Sequence, residues 1–268
     1  MIWNELEKSF LSAWSLSFSR RKLILCFISL CLCGVLTVFC RALAADASSW
    51  VKLSLVFLPI LLSSGFLLSS GVLLVRIYVR EVRGQSVSLK KLFAGSLDVA
   101  IGTSYLSFPP VFVYLCLWIV LGLFFLLKEI PLIGPFFNIV LAFGPFLLIF
   151  CSLLLCILSV GLLFFVVPAV AHQSVKRLDL WVDVWKTIQA RPFQSVLLFF
   201  LGVVPVFLMG GMLTLTATLT NLSFAIKEPS AALALEWFFI MLPFCALLTL
   251  PVIFFFHFAA ESYNLLRR

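Results

Sequence analysis

RRKLILCFISLCLCGVLTVFC, from Arg20 to Cys40, decides the fold: three basic residues in a row, then eighteen positions without a charge. About 20 apolar residues cross a hydrocarbon core some 30 Å thick. A run of this length, with its charges confined to one end, reads as a transmembrane helix over 22–40. Working outward, five more runs follow at 53–77, 107–127, 137–167, 193–217 and 237–258. Placing the N-terminus inside assigns 15 of the 19 Lys and Arg residues to inside segments, and only Arg41, Lys52, Lys128 and Lys227 to outside ones. Basic residues gather on the cytoplasmic side of membrane proteins, so the even number of spans leaves both termini cytoplasmic.

Composition supports the same class. Hydrophobic residues make up 63% of the 268 and charged residues 11%, against about 45–50% and about 25% in a soluble domain. A water-soluble fold is excluded. The net charge of +8 lies in short juxtamembrane segments and needs no nucleic-acid partner, since no RNA- or DNA-binding motif accompanies it. All eight cysteines fall inside the spans and none in a loop. They read as small, soft packing residues, with no disulfide framework. Arg20 to Lys22, the apolar run and Ala42-Leu43-Ala44 imitate a cleaved signal peptide. Twenty-two residues is a long leader, however, and cleavage would leave an odd number of spans, so a retained signal-anchor is expected.

Three short segments precede alternate spans. In 3–19, Trp3, Leu6, Phe10, Leu11 and Trp14 recur at helical spacing, with Asn4, Glu5, Glu7, Lys8 and Ser12 between them. In 175–190, Leu178, Trp181, Val182 and Trp185 form a comparable stripe, and 88–104 is a weaker version. Such helices lie in the headgroup plane, anchored by tryptophan. Aligning Phe10 and Trp14 with Trp181 and Trp185 also brings Arg20 onto Arg191, and Phe93 and Leu97 take the same places in the middle segment. The expected architecture is all-α: one integral membrane domain over 1–268, a polytopic six-helix bundle with three interfacial amphipathic helices on the cytoplasmic face. Each amphipathic helix followed by a two-span hairpin would make a threefold repeat. The connecting outside loops are too short for an external domain.

Residues able to carry chemistry are few. An ionisable group inside the membrane is a functional hypothesis by default. The polar candidate is His257, in FFFHF near the inside end of the last span, with Glu261 and Arg267 following it. The blander expectation is a polar ring packed near the membrane surface. Pro59, Pro145, Pro205, Pro243 and Pro251 interrupt the spans, and Gly210-Gly211 follows Pro205. Broken helices of this kind can aim backbone dipoles at a solute, although prolines also kink membrane helices without further purpose. Gly65 and Ser69 have the small-xxx-small spacing that lets helices approach closely, within the chain or between copies. No catalytic motif occurs. Nothing calls for a cofactor or a metal, and an enzyme is not expected.

The stretch from Phe164 to Leu201 combines an apolar run ending in Pro168, an amphipathic segment ending at Trp185, and Arg191 before the next span. It resembles a family of uncharacterised six-span bacterial inner-membrane proteins, and is similar to the membrane domain of some glycerophosphodiester phosphodiesterases. Gln173 and Val184 stand where that pattern has an acidic residue and a serine. The resemblance implies a fold and a bacterial inner-membrane location; the phosphodiesterase catalytic domain is absent from the sequence. The leading expectation is a non-enzymatic, lipid-binding or scaffolding membrane protein whose partners are membrane lipids, with a second copy or another protein left open. The alternative is a small-solute permease or channel, with Pro205 and Gly211 as gating residues.

Overall fold

A computed structural model describes residues 2–44, 47–84, 105–128, 130, 143–172, 177–220 and 231–267. The described residues form eight α-helices and no strand. These are α1 (Ile2–Ser15), α2 (Arg20–Ala44), α3 (Ser49–Val82), α4 (Phe108–Lys128), α5 (Gly144–His172), α6 (Arg177–Ala190), α7 (Pro192–Leu219) and α8 (Ala231–Arg267). Short 3₁₀ turns at Leu16–Phe18 and Tyr105–Ser107 lead into α2 and α4. Six helices, α2 to α5 with α7 and α8, are long and apolar enough to cross a membrane. The segment expected to form the second interfacial helix, 88–104, lies outside the described residues.

The helix limits follow local chemistry. Proline suits the first turn, where its missing N–H would have had no partner. Thus α4 opens with Phe108-Pro109-Pro110, α5 with Gly144-Pro145 and α7 with Pro192. Gly84 closes α3 with φ +68°, a left-handed conformation that favours glycine, and its N–H meets the Glu81 carbonyl at 2.9 Å.

Pro59, Pro168, Pro205, Pro243 and Pro251 all sit inside helices that continue past them. Pro145 stands in the first turn of α5, and residues 137–142, where its span is expected to begin, lie outside the described residues. The described residues contain no discontinuous span. The helix of the fourth expected span runs on past residue 167, through Pro168 to His172.

Packing separates an inner set of helices from an outer one. The second helix of each hairpin, α3, α5 and α8, contacts the other two; α2, α4 and α7 lie outside them. Of the most apolar window of each helix, 61% is buried in α3 and 44% in α8, against 17% in α4 and 11% in α7. Each outer helix also leans on the inner helix of another hairpin. α2 lies along α8 and α4 along α3. α7 meets α5 where Gly202 faces the Phe164 ring, and Phe164 stacks edge-on to Phe199 at 5.6 Å.

In lipid, helix association depends on close packing and polar contacts, because the acyl chains are as apolar as leucine. Glycines accordingly mark the tightest approaches. Gly34 faces Met241 between α2 and α8, and Gly71 faces the Phe256 ring between α3 and α8. Thiols add polar contacts across helices: Cys26 to the Thr249 carbonyl at 3.7 Å, Cys33 to that of Ser63 at 3.9 Å and Cys245 to that of Leu30 at 3.4 Å.

Candidate functional site

The bundle end that gathers the start of α2 and the ends of α3 and α8 holds a buried polar cluster. α1 reaches it through the 3₁₀ turn. That turn places Ser17, 0% exposed, against α8. α2 begins two residues later and carries Lys22 inward, where its side chain is 0% exposed. The ammonium pairs with Glu81 on α3, donates to the Leu16 carbonyl at 2.9 Å, and lies 5.4 Å from the centre of the Tyr78 ring. A lysine this deep is tolerable only with such partners.

Tyr78 lies one helical turn before Glu81 and is nearly fully buried. Its hydroxyl donates to Glu261 of α8 at 2.7 Å, and Ser12 of α1 lies 3.2 Å from the same oxygen. The phenol has one proton and gives it to the carboxylate, so the Ser12 hydroxyl is the donor in that second contact. The Tyr78 ring stacks on His257, with centroids 4.4 Å apart and planes inclined by 27°.

His257 is completely buried. Ser17 directs its only proton to the Ala13 carbonyl at 2.6 Å. The contacts from His257 Nδ1 to Ser17 Oγ at 3.2 Å and to the Ala13 carbonyl at 3.4 Å therefore require a proton on Nδ1. This assigns the tautomer from the network and leaves Nε2 as an acceptor, with no hydrogen-bond partner among the described residues. Ser262 Oγ is also buried without one. The cluster thus joins α1, α2, α3 and α8 through one cation, two carboxylates, a phenol, an imidazole and two hydroxyls.

Around it, α1 docks on α8. Phe10 meets Phe254 at 4.9 Å and Trp14 meets it at 5.8 Å, both edge-on. The face of α1 turned inward consists of Ser9, Ala13 and then Ser17, each under 9% exposed. Phe10 and Trp14 flank it, 36% and 40% exposed, and Leu11 points away. The small residues between the aromatics form the contact, which hydrophobic periodicity does not register.

The other candidate residues are spread through the fold. Trp185 on α6 is exposed, while its neighbour Val184 faces the bundle. Trp181 is on α6, with its side chain outside the described ones. Arg20 and Arg191 are exposed at the starts of α2 and α7. Gly65 faces Ser107 ahead of α4, and Ser69 donates to the Gly65 carbonyl at 3.3 Å. Pro205 lies within α7, and a Cβ added at Gly211 would meet nothing within 4 Å. None of these joins the cluster.

Of the expected site residues, only His257 belongs to the cluster. Three further members of the cluster, Lys22, Tyr78 and Glu81, carry no motif. Lys22 resembles any juxtamembrane lysine, and Glu81 any loop acid. A faint signal was available: Tyr78 and Glu81 are three apart, and His257 and Glu261 four apart, so each pair shares a helix face. Among the described residues no group of three His, Cys, Asp or Glu side chains is placed to hold a metal ion. Compared with known proteins, the chain matches no family model, no curated protein and no solved structure.

Proposed function

We propose that this chain is a non-enzymatic, multi-pass membrane protein that binds lipid or scaffolds partners, with both termini cytoplasmic in a bacterial inner membrane. The observation that carries this reading is the use made of the polar groups. Lys22, Tyr78, Glu81, Glu261 and Ser17 bond within the cluster and to α1 and its turn, tying α1, α2, α3 and α8 together. What the same end offers outward is Leu11, Trp14 and Phe18, with Val182 and Trp185 on α6. These side chains suit the boundary between headgroups and acyl chains. The location rests on the distribution of basic residues and on the resemblance of 164–201 to six-span bacterial inner-membrane proteins.

The chain is further read as three units of a short helix plus a hairpin. In support, an inner helix ends each hairpin and an outer helix opens it. A shift of 171 residues takes Phe10 to Trp181 and Trp14 to Trp185. The same shift takes Ala13 to Val184, and both of these face the bundle.

Purification in native-lipid nanodiscs, followed by mass spectrometry of what remains bound, tests the function. A defined lipid or protein at stoichiometric yield is expected. Bulk lipid alone would overturn the reading.

One observation favours a second reading, the small-solute permease. The Nε2 of His257, without a hydrogen-bond partner among the described residues, is a proton acceptor buried in a cluster that also holds Lys22, a feature of proton relays in membranes. That reading requires solute or proton flux in reconstituted vesicles, abolished in His257→Gln. Tight vesicles across a broad solute panel would dismiss it.

A further inference from the structure

At the opposite end of the molecule, α2 and α3 flank an open groove of about 300 Å³ near the turn that joins them. This lies at the lower end of the usual size range for a ligand site, about 300–1,000 Å³. Arg41, Ala44 and Lys52 line its end nearer the turn, and Thr37, Leu55, Val56 and Pro59 line the rest. The Arg41 guanidinium also lies over the Trp237 ring of α8, 5.9 Å from its centre. The N-terminus of α3, starting at Ser49, adds the positive end of a helix dipole next to Lys52.

The gradient from charge to grease runs along the helix axes. Pro59 lies seven residues beyond Lys52, or about 10 Å deeper at the helical rise. Val56 is 58% exposed, so the inner wall opens sideways, the side that faces acyl chains under the proposed topology.

We propose that this groove binds one anionic phospholipid. Its phosphate sits between Arg41 and Lys52, and the upper part of one chain lies along Leu55, Val56 and Pro59. A guanidinium and an ammonium on opposite walls match a phosphate's oxygens, and the apolar floor distinguishes a lipid from free phosphate. Under the proposed topology the lipid belongs to the outer leaflet. The inference rests on the lipid-binding reading and names its ligand class.

The test uses the full chain in detergent, supplied with equal amounts of phosphatidylglycerol and phosphatidylcholine and examined by native mass spectrometry. One phosphatidylglycerol should be retained in preference to phosphatidylcholine. Arg41→Gln with Lys52→Gln should lower that retention about tenfold or more. Arg83→Gln, at the other end of α3, should leave it unchanged, and Arg41→Lys with Lys52→Arg should restore part of it in a chain of unaltered thermal stability. Equal retention of the two lipids, or by the double Gln variant, overturns the site while leaving lipid binding elsewhere intact. Displacement by millimolar inorganic phosphate overturns the lipid in favour of a plain anion site. Retention of neither lipid by the unaltered chain removes the lipid-binding reading itself.

Discussion

Replacing Lys22 by Met keeps its apolar stem and removes the charge. Glu81 then loses its cation and the Leu16 carbonyl its donor. Breaking a fully buried pair costs about 3–5 kcal/mol. Glu81 is 27% exposed, so water recovers part of the loss and the expected destabilisation falls below that range. Pairing the change with Glu81→Gln should recover part of it, because no carboxylate is left unbalanced. Thermal unfolding in detergent, with protease nicking of α1 as a second readout, measures both. Equal losses in the single and double variants would deny that the pair couples α2 to α3. From the sequence, His257 was recognisable as a polar residue in an apolar run. Its neighbours were not, since the Ser17 contact joins residues 240 apart and no local spacing encodes that.

Helices meet here through small residues, so glycine replacements sort by what a Cβ would touch. At Gly71 it would run into the Phe256 ring, whereas at Gly210 and Gly211 it would meet nothing within 4 Å. Gly71→Val should therefore force α3 and α8 apart at an overpacking cost of about 1–3 kcal/mol. Gly211→Ala should be neutral or stabilising by up to about 1 kcal/mol, the helix-propensity gain. Unfolding midpoints of the two variants decide the matter, and a Gly211→Ala loss as large as that at Gly71 would contradict the packing. Helix existence was legible from hydropathy because each span exceeds the length a bilayer requires. What the prolines do was not. Whether Pro205 breaks α7 depends on the surrounding structure, and here the helix continues on both sides. The stripe on α1 was equally ambiguous, since its aromatic residues flank the contact while Ala13 fills it.

At the scale of the whole molecule, the α2–α3 hairpin carries exposed residues at both ends, Ser48 at its turn and Arg83 after α3. In a version lacking the native cysteines, Ser48→Cys and Arg83→Cys should react with a membrane-impermeant maleimide from opposite sides. Labelling of both from one side would show that the hairpin does not span. The number of helices long and apolar enough to cross a membrane could be read from sequence, because hydropathy is a property of single segments. Which helices lie inside could not, because it depends on pairwise fit. α3 and α7 have similarly apolar windows, with mean hydropathy 2.0 and 2.5, yet α3 is far the more buried.

The contact between Ser17 and His257 also orders events in time. A chain is made from its N-terminus at about 5–20 residues per second, so the partner of Ser17 emerges roughly 10–50 s after it. Glu81, the partner of Lys22, follows that lysine after 59 residues, within roughly 3–12 s. Through this interval the first hairpin is in the bilayer with one of its charges compensated and α1 without a seat. Entry of the last helix supplies Phe254, His257 and Glu261 together. Ribosomes halted before residue 254 should therefore hold a nascent chain whose N-terminal helix is open to protease, and those halted after the last helix has cleared the exit tunnel and inserted should hold one that is protected. Entry of α8 and closure of α1 are the same step.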